Sequence, residues 1–280
     1  MKKQNEKVKE HYDRVQPIYN FFWMNKKNLG MHYGFWEEGI KNLHEAILNE
    51  NKVIADRLEI RKDDIVLDAG CGVGGTTIWL AKNYGVNVTG ITLSEKQAES
   101  AINYAKGEKV DHLVKFYVRD FCDTGFTTGS FTKIFSIESV CHAENKEDFI
   151  NEAFRILKTG GKLVVADFFV EENLDEKRRN LVNEWCRGWE MPNLSTLVDF
   201  SKKLETAGFK NIEYLDKTKE VEPSSKRMYI IIGRFIRLIF KILELFKLHQ
   251  SYGGTKAVVS QYYAFKEGAV RYYLFSAQKT

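Results

Sequence analysis

The chain has 280 residues, 44% of them hydrophobic and 29% charged, with 42 Lys and Arg against 38 Asp and Glu for a formal charge of +4. These proportions describe an ordinary globular chain, long enough for one large α/β domain with an excursion or for two small domains, and they exclude wholesale disorder. The charge is unevenly placed: Lys226 to Leu248 carries Lys226, Arg227, Arg234, Arg237, Lys241 and Lys247 against Glu244 alone, a net +5 that leaves −1 on the other 257 residues, so a diffuse basic surface for nucleic acid is not expected.

The N-terminal stretch Met1 to Glu10 is charged and lacks the apolar core of a signal peptide, so secretion is not indicated. An aromatic arm follows, with Tyr12, Tyr19, Phe21, Phe22, Trp23, Tyr33, Phe35 and Trp36 close together. From Asp64 the chain alternates strand-like and helix-like runs. Strands are predicted at Ile65–Leu67, Val86–Leu93, Leu113–Val118, Lys133–Ile137 and Lys162–Val170, and helices at Thr76–Tyr84, from Ser94 to about Lys106, and at Lys146–Leu157. Ser94 followed by Gln97 reads as a capping box. A helix at Leu194–Ala207 ends at Gly208, and strands follow at Phe209–Leu215 and Val270–Ala277. Short connections between alternating elements give a doubly wound, mostly parallel sheet of the α/β class. The stretch Thr218–Gly268 is too long for a hairpin and reads as an insertion with its own helices. The expected organisation is an N-terminal helical arm over 1–62, a central domain over 63–217 and 268–280, and a helical lid over 218–267. Cys71, Cys122, Cys141 and Cys186 are widely spaced and form no zinc-ligand pattern, so no metal is expected and a reduced, cytoplasmic setting fits best. The apolar run Met228–Ile232 is broken by Arg234, Arg237 and Lys241, far short of the ~20 residues of a spanning helix.

After the first strand comes Asp68-Ala69-Gly70-Cys71-Gly72-Val73-Gly74-Gly75. Glycines there let the backbone turn sharply and let a ligand approach the main chain at the carboxyl ends of the strands. Gly70, Gly72 and Gly75 also satisfy G-x-G-x-x-G, so a dinucleotide site competes, as does a purely structural turn. Asp68 at the strand end repels a pyrophosphate and suits an ammonium group. The second strand ends Gly90-Ile91-Thr92, without the acid that receives an NAD ribose.

The run Val66 to Gly75 resembles motif I of the class I S-adenosylmethionine-dependent methyltransferases. Gly90-Ile91-Thr92-Leu93-Ser94 with Gln97 is similar to the second motif of the branch holding sterol C-methyltransferases, tocopherol methyltransferases and mycolic-acid cyclopropane synthases. Ser136 to Ala143, then Asn145-Lys146 and Arg155 to Gly161, resembles the sterol and tocopherol enzymes in particular, and Met31 to Trp36 resembles the segment before their core. The resemblance spans about Tyr12 to Val170. It implies a Rossmann-like fold with a seven-stranded sheet and S-adenosyl-L-methionine as cofactor. It further implies that Asp68, Gly70, Gly72 and Gly74 line the methionine part, that Thr92, Leu93 and Gln97 meet the ribose, that Asp120 and Phe121 hold the adenine, and that Ile137 sits beneath the sulfonium. Many class I enzymes have a carboxylate where this chain has Thr92, so ribose recognition here falls to the Thr92 hydroxyl, the Gln97 amide and the backbone.

Methyl transfer from a sulfonium is an in-line displacement that rests on positioning and exclusion of water. Candidates for moving a proton are His142, Glu138 and His32, each with a plainer alternative: His142 as a loop residue bonding backbone, Glu138 as a tie for the following loop, His32 as part of a packed arm. Tyr12, Tyr19, Trp23 and Tyr33, with Trp185 and Trp189 after the fifth strand, are expected to wall a lipophilic pocket whose ring faces attract cations. The basic residues of Lys226 to Leu248 recur at helical spacing opposite a wide apolar face, as in a lid over a lipophilic acceptor, an interfacial helix on an anionic membrane, or a helix packed on the domain. The expected reaction is methylation of a small lipophilic acceptor of isoprenoid, sterol or prenylquinone type, with C-methylation favoured. N- or O-methylation of a small amine or natural product is the alternative, and a non-catalytic lipid- or cofactor-binding protein is a further one. Cyclopropane synthesis is disfavoured because those enzymes place a Glu where this chain has Cys141.

Overall fold

The computed structural model describes residues 3–24, 28–236 and 253–280. Seven strands form one sheet in the order β3-β2-β1-β4-β5-β7-β6: β1 (Ile65–Ala69), β2 (Asn87–Thr92), β3 (Val114–Val118), β4 (Phe131–Ile137), β5 (Leu157–Val170), β6 (Phe209–Asp216) and β7 (Val270–Lys279). The first five are parallel to one another, and β7 runs antiparallel between β5 and β6. Alternate residues of each inner strand enter two separate cores, Val66 and Val164 on one face, Leu67, Leu163 and Val165 on the other. Burial on both faces explains why these strands read as continuous apolar runs.

One face is covered by α2 (Leu43–Leu58), α3 (Gly75–Tyr84) and α4 (Glu95–Gly107), the other by α5 (Lys146–Ile156) and α7 (Leu197–Thr206). Helix α1 (Lys3–Phe22) precedes them, and α6 (Glu176–Gly188) follows β5. Because β1 to β3 progress outward in one direction and β4 and β5 in the other, a crevice opens between the carboxyl ends of β1 and β4, the position where open α/β sheets bind ligands. Strand β5 starts earlier than its sequence suggested. Leu157 already pairs with Phe131 before the register jumps to Lys162 opposite Lys133, and Gly160, at φ +79°, turns the displaced residues.

The insertion forms α8 (Thr218–Met228), a π-helical turn (Tyr229–Ile236) and α9 (Gly253–Lys266). Its described part packs behind the N-terminal arm, where Trp36 Nε1 donates to Ser224 Oγ at 2.8 Å and Gln261 donates to the Tyr33 hydroxyl, and within the insertion Tyr229 stacks on Tyr262 at 4.4 Å. None of the described residues after β6 lines the main cavity, which corrects the expectation of a lid for this part of the insertion. Arg237, Lys241, Glu244 and Lys247 lie outside the described residues, as do all residues from 237 to 252.

Gly74 caps α3 at φ +85°, and a Cβ added there would come within 2.9 Å of the Phe116 ring, whereas Gly85, at φ +64°, has open space around it. Ala at either site costs about 1–2 kcal/mol for the left-handed backbone, and the crowding at Gly74 adds about 1–3 kcal/mol. Urea unfolding is expected to show a clearly lower midpoint for Gly74→Ala than for Gly85→Ala, with unchanged slope.

Candidate active site

At the crevice, β1 passes into the glycine loop. The backbone N–H groups of Gly70 and Cys71 both donate to Ile91 O, at 3.0 and 2.9 Å, which folds the loop back over β2. Gly70 and Gly72 adopt φ of +100° and +54°. A side chain on Gly70 would collide with Ser139, while a Cβ on Gly72 would meet only Met31 Sδ at 3.5 Å. The loop therefore presents bare backbone to a cavity of about 400 Å³ that runs along the strand ends, a volume suited to a small-molecule ligand.

Among the residues expected at the cofactor, Asp68, Gly70, Gly72, Thr92, Leu93, Gln97, Asp120, Phe121 and Ile137 all line this one cavity. Gly74 does not. Its missing side chain makes room for Phe116 and Ala101, so it serves the turn and the packing of α3. Asp68 is buried and accepts from Thr77 Oγ1 at 2.6 Å; burial nevertheless pushes its carboxyl up to about 7. A carboxylate so poorly solvated has much to gain from a cation. Thr92 Oγ1 donates to Gln97 Oε1 at 2.8 Å. Ser94 caps α4 as predicted, accepting from Gln97 N at 3.1 Å, but the Gln97 side chain turns into the site instead of closing the capping box. Asp120 Oδ1 accepts from Cys122 N at 2.8 Å, and Phe121 packs edge-on against Phe149.

Helix α1 lies across the mouth of the cleft and bonds to the residues that line it. Asn5 Nδ2 donates to Asp120 Oδ2 at 2.8 Å, Ser94 Oγ donates to Asp13 Oδ1 at 2.5 Å, and Gln97 Nε2 donates to Gln16 Oε1 at 3.1 Å. Tyr12 Oη and His142 Nε2 are 2.9 Å apart. Sequence reasoning missed Asn5, Asp13 and Gln16. The available signal was their spacing with Lys9 and Tyr12, which places all five on one helical stripe.

The cavity is also lined by Tyr12, Tyr19, Phe168 and Trp189, by Glu138 and His142, and by His32. Trp23, Tyr33 and Trp185, expected as pocket walls, do not line it. Trp23 donates to His32 O at 3.0 Å, the Tyr33 ring lies between Trp23 and Phe168, and Trp185 is packed between Phe168 and Phe265. These rings stabilise the arm and the floor beneath the pocket. Burial pushes His142 down to about 3, so it is a neutral ring and a weak base; its Nδ1 faces Glu190 O, which leaves Nε2 to accept a hydrogen bond from the Tyr12 hydroxyl. Glu138, at φ +49°, accepts from Tyr33 N at 2.9 Å and faces Tyr272 Oη at 3.2 Å; burial and the nearby Glu50 push its carboxyl well above the usual range. Lys146 is buried, and its Nζ donates to Cys141 O, Ala143 O and Asn193 O at 3.0, 2.7 and 2.8 Å. It pins the loop bearing His142 to the segment bearing Trp189.

The sheet order, the glycine turn after β1 and acids at the ends of β1 and β3 define the class I S-adenosylmethionine-dependent methyltransferases. Residues 1–217 match the mycolic acid cyclopropane synthetase family, and the chain belongs to it. Among curated proteins it is 28% identical to methyltransferase GfsG of Streptomyces halstedii, over 79% of this chain and 78% of that protein. It is 27% identical to a chloroplastic tocopherol O-methyltransferase of Arabidopsis thaliana (77% and 66%) and 26% identical to a sterol 24-C-methyltransferase of Kluyveromyces lactis (76% and 57%). The chain thus spans well over half, but less than two thirds, of those last two relatives. Of solved structures, it superposes on the cyclopropane synthase MmaA2 of Mycobacterium tuberculosis with a TM-score of 0.79 at 17% identity, covering 98% of both chains. A geranyl diphosphate methyltransferase bound to its diphosphate and sinefungin gives 0.78 at 20% identity, covering 99% of both.

The Asp68 carboxyl gives a pH dependence whose sign follows from its raised value. A ligand carrying an ammonium group prefers the ionised acid, so affinity is full above about 7 and falls as the pH drops through that value, approaching tenfold per unit below it. Calorimetry with S-adenosylhomocysteine from pH 8 to pH 5.5 is expected to show that decline in the wild type, and weaker binding with a shallower decline in Asp68→Asn.

Proposed function

We propose that the chain methylates a small, lipophilic, isoprenoid-like acceptor, with C-methylation favoured. The observation that carries this reading is the continuity of one cavity from the glycine loop and Asp68 to the aromatic wall of Tyr12, Tyr19, Phe168 and Trp189. When bound, S-adenosylmethionine supplies an activated methyl group. Asp68 holds its ammonium end, the bare loop at Gly70 and Gly72 admits its methionine part, Thr92 and Gln97 meet the ribose, and Asp120 accepts from the adenine amino group beside Phe121. For Asp120 and Gln97 this means sharing with, or displacing, Asn5 and Gln16 of α1. Helix α1 then seals the site and keeps water from the reacting atoms.

The aromatic wall offers a greasy surface and ring faces that stabilise a developing cation, as alkene methylation requires. Of the cationic side chains lining the described cavity, Lys9 is paired with Glu95 at 2.6 Å, and Arg119 donates to Thr124 O while stacking over Phe126. This arrangement suits a neutral acceptor better than a diphosphate. The cyclopropane product remains disfavoured: Cys141 lines the cavity, and burial pushes its thiol well up. Peripheral contact with an anionic membrane through Lys226 to Leu248 would fit such an acceptor. No helix among the described residues is long and apolar enough to cross a membrane.

Glu138 is the strongest base within reach of the acceptor once it ionises, because the burial that raises its carboxyl also strengthens its hold on a proton. With methyl-labelled cofactor and a panel holding a tocopherol, a sterol alkene and geranyl diphosphate, transfer is expected to one of the neutral lipids. Glu138→Gln is expected to lower turnover by about 10²-fold or more while S-adenosylhomocysteine affinity stays unchanged. Transfer confined to a small polar amine would overturn the lipophilic reading.

A further inference from the structure

Behind the glycine loop, a buried carboxylate orients the His32 ring. Glu50, on α2, is fully buried, and its Oε2 lies 2.5 Å from His32 Nδ1 and 2.9 Å from Gly34 N. Its Oε1 accepts from Tyr272 Oη at 2.9 Å. A carboxylate only accepts hydrogen bonds, so the Nδ1 proton points at Glu50 and, in the neutral ring, Nε2 carries a lone pair. That nitrogen is buried and has no hydrogen-bond partner in the protein, an arrangement that costs about 1–3 kcal/mol unless a ligand or water completes it.

The surroundings indicate what completes it. Gly30 and Met31, beside His32, line the cavity at the glycine loop: Met31 Sδ faces Gly72, and a Cβ on Gly30 would come within 3.0 Å of His32 Nε2 and cover it. His32 lies close enough to Asp68 for the two groups to be electrostatically coupled. Two acceptors, one carboxylate and one imidazole lone pair, thus stand at the same end of the cavity, and a primary ammonium carries enough protons to satisfy both. We infer that His32, held in its Nδ1-protonated form by Glu50, binds the α-ammonium group of the cofactor together with Asp68. This inference rests on the methyltransferase reading and deepens it. It makes His32 a binding residue, and Glu50 a positioning residue acting through it.

Calorimetry with three probes tests this assignment: S-adenosylhomocysteine, its analogue without the amino group (5′-deoxy-5′-(3-carboxypropylthio)adenosine) and its analogue without the carboxylate (5′-deoxy-5′-(3-aminopropylthio)adenosine). Replacing His32 by Leu, and separately Glu50 by Gln, is expected to weaken the two amino-bearing probes about tenfold or more and to leave the deamino analogue unchanged, which also shows that the variant is folded. Equal losses for all three probes, or a loss confined to the two carboxylate-bearing ones, would overturn it. Should both variants fail to fold, ¹⁵N-histidine spectra of the wild type decide: His32 is expected as the Nδ1-protonated tautomer, and an Nε2-protonated ring contradicts the inference. Failure of the wild type to bind S-adenosylhomocysteine at all would instead strike the methyltransferase reading itself.

Discussion

The buried carboxylate of Glu50 is the point at which the parts of this protein that approach the site are joined. It is fully excluded from water, and donors converge on it from the N-terminal arm, through His32 and Gly34, and from the last strand, through Tyr272. Tyr272 in turn faces Glu138 at the end of β4. A charge in that position is tolerable only while its partners are in place, and removing one partner of a buried charged group costs several kcal/mol. The arm, the sheet and α2 are thereby held in one arrangement, and that arrangement sets the cleft between the glycine loop and the aromatic wall.

The cleft has two chemically distinct ends. At the glycine loop the side chains are acceptors, Asp68 foremost, facing bare backbone. Elsewhere in the cavity they are rings with a raised carboxyl, Glu138, and a neutral imidazole, His142, whose titrations burial drives in opposite directions. A polar cationic cofactor and an apolar acceptor suit these opposite ends and meet between them. Helix α1 closes the mouth through Asn5, Tyr12, Asp13 and Gln16, so the side chains that reach the ligand site also fasten the cover.

Much of this was legible in the sequence because its signals are local. Alternating apolar runs marked all seven strands, Ser94 marked the start of α4, and the glycines with Asp68 marked the crevice. What stayed hidden depends on distant pairing. Nothing near Glu50 announces that it meets Tyr272, 222 residues away. Aromatic composition did not separate Tyr12 and Trp189, which line the cavity, from Trp23, Tyr33 and Trp185, which lie beneath it; an amphipathic ring serves equally as wall or filling. Gly74 likewise shares the motif of Gly70 and Gly72 but answers to Phe116. The start of β5 at Leu157, ahead of the register jump, also stayed hidden, because the apolar run that marks the strand begins only after Gly160 and Gly161.

The central claim is that one cleft orients an adenosyl cofactor with its ammonium at the glycine loop and its adenine at the end of β3. A crystal structure of the complex with S-adenosylhomocysteine tests it most directly. The predicted result is an amino group bound between Asp68 and His32 and an adenine beside Asp120 and Phe121, with the sulfur facing Tyr12 and Glu138. An adenine at the glycine loop, or a ligand bound outside this cleft, would contradict it.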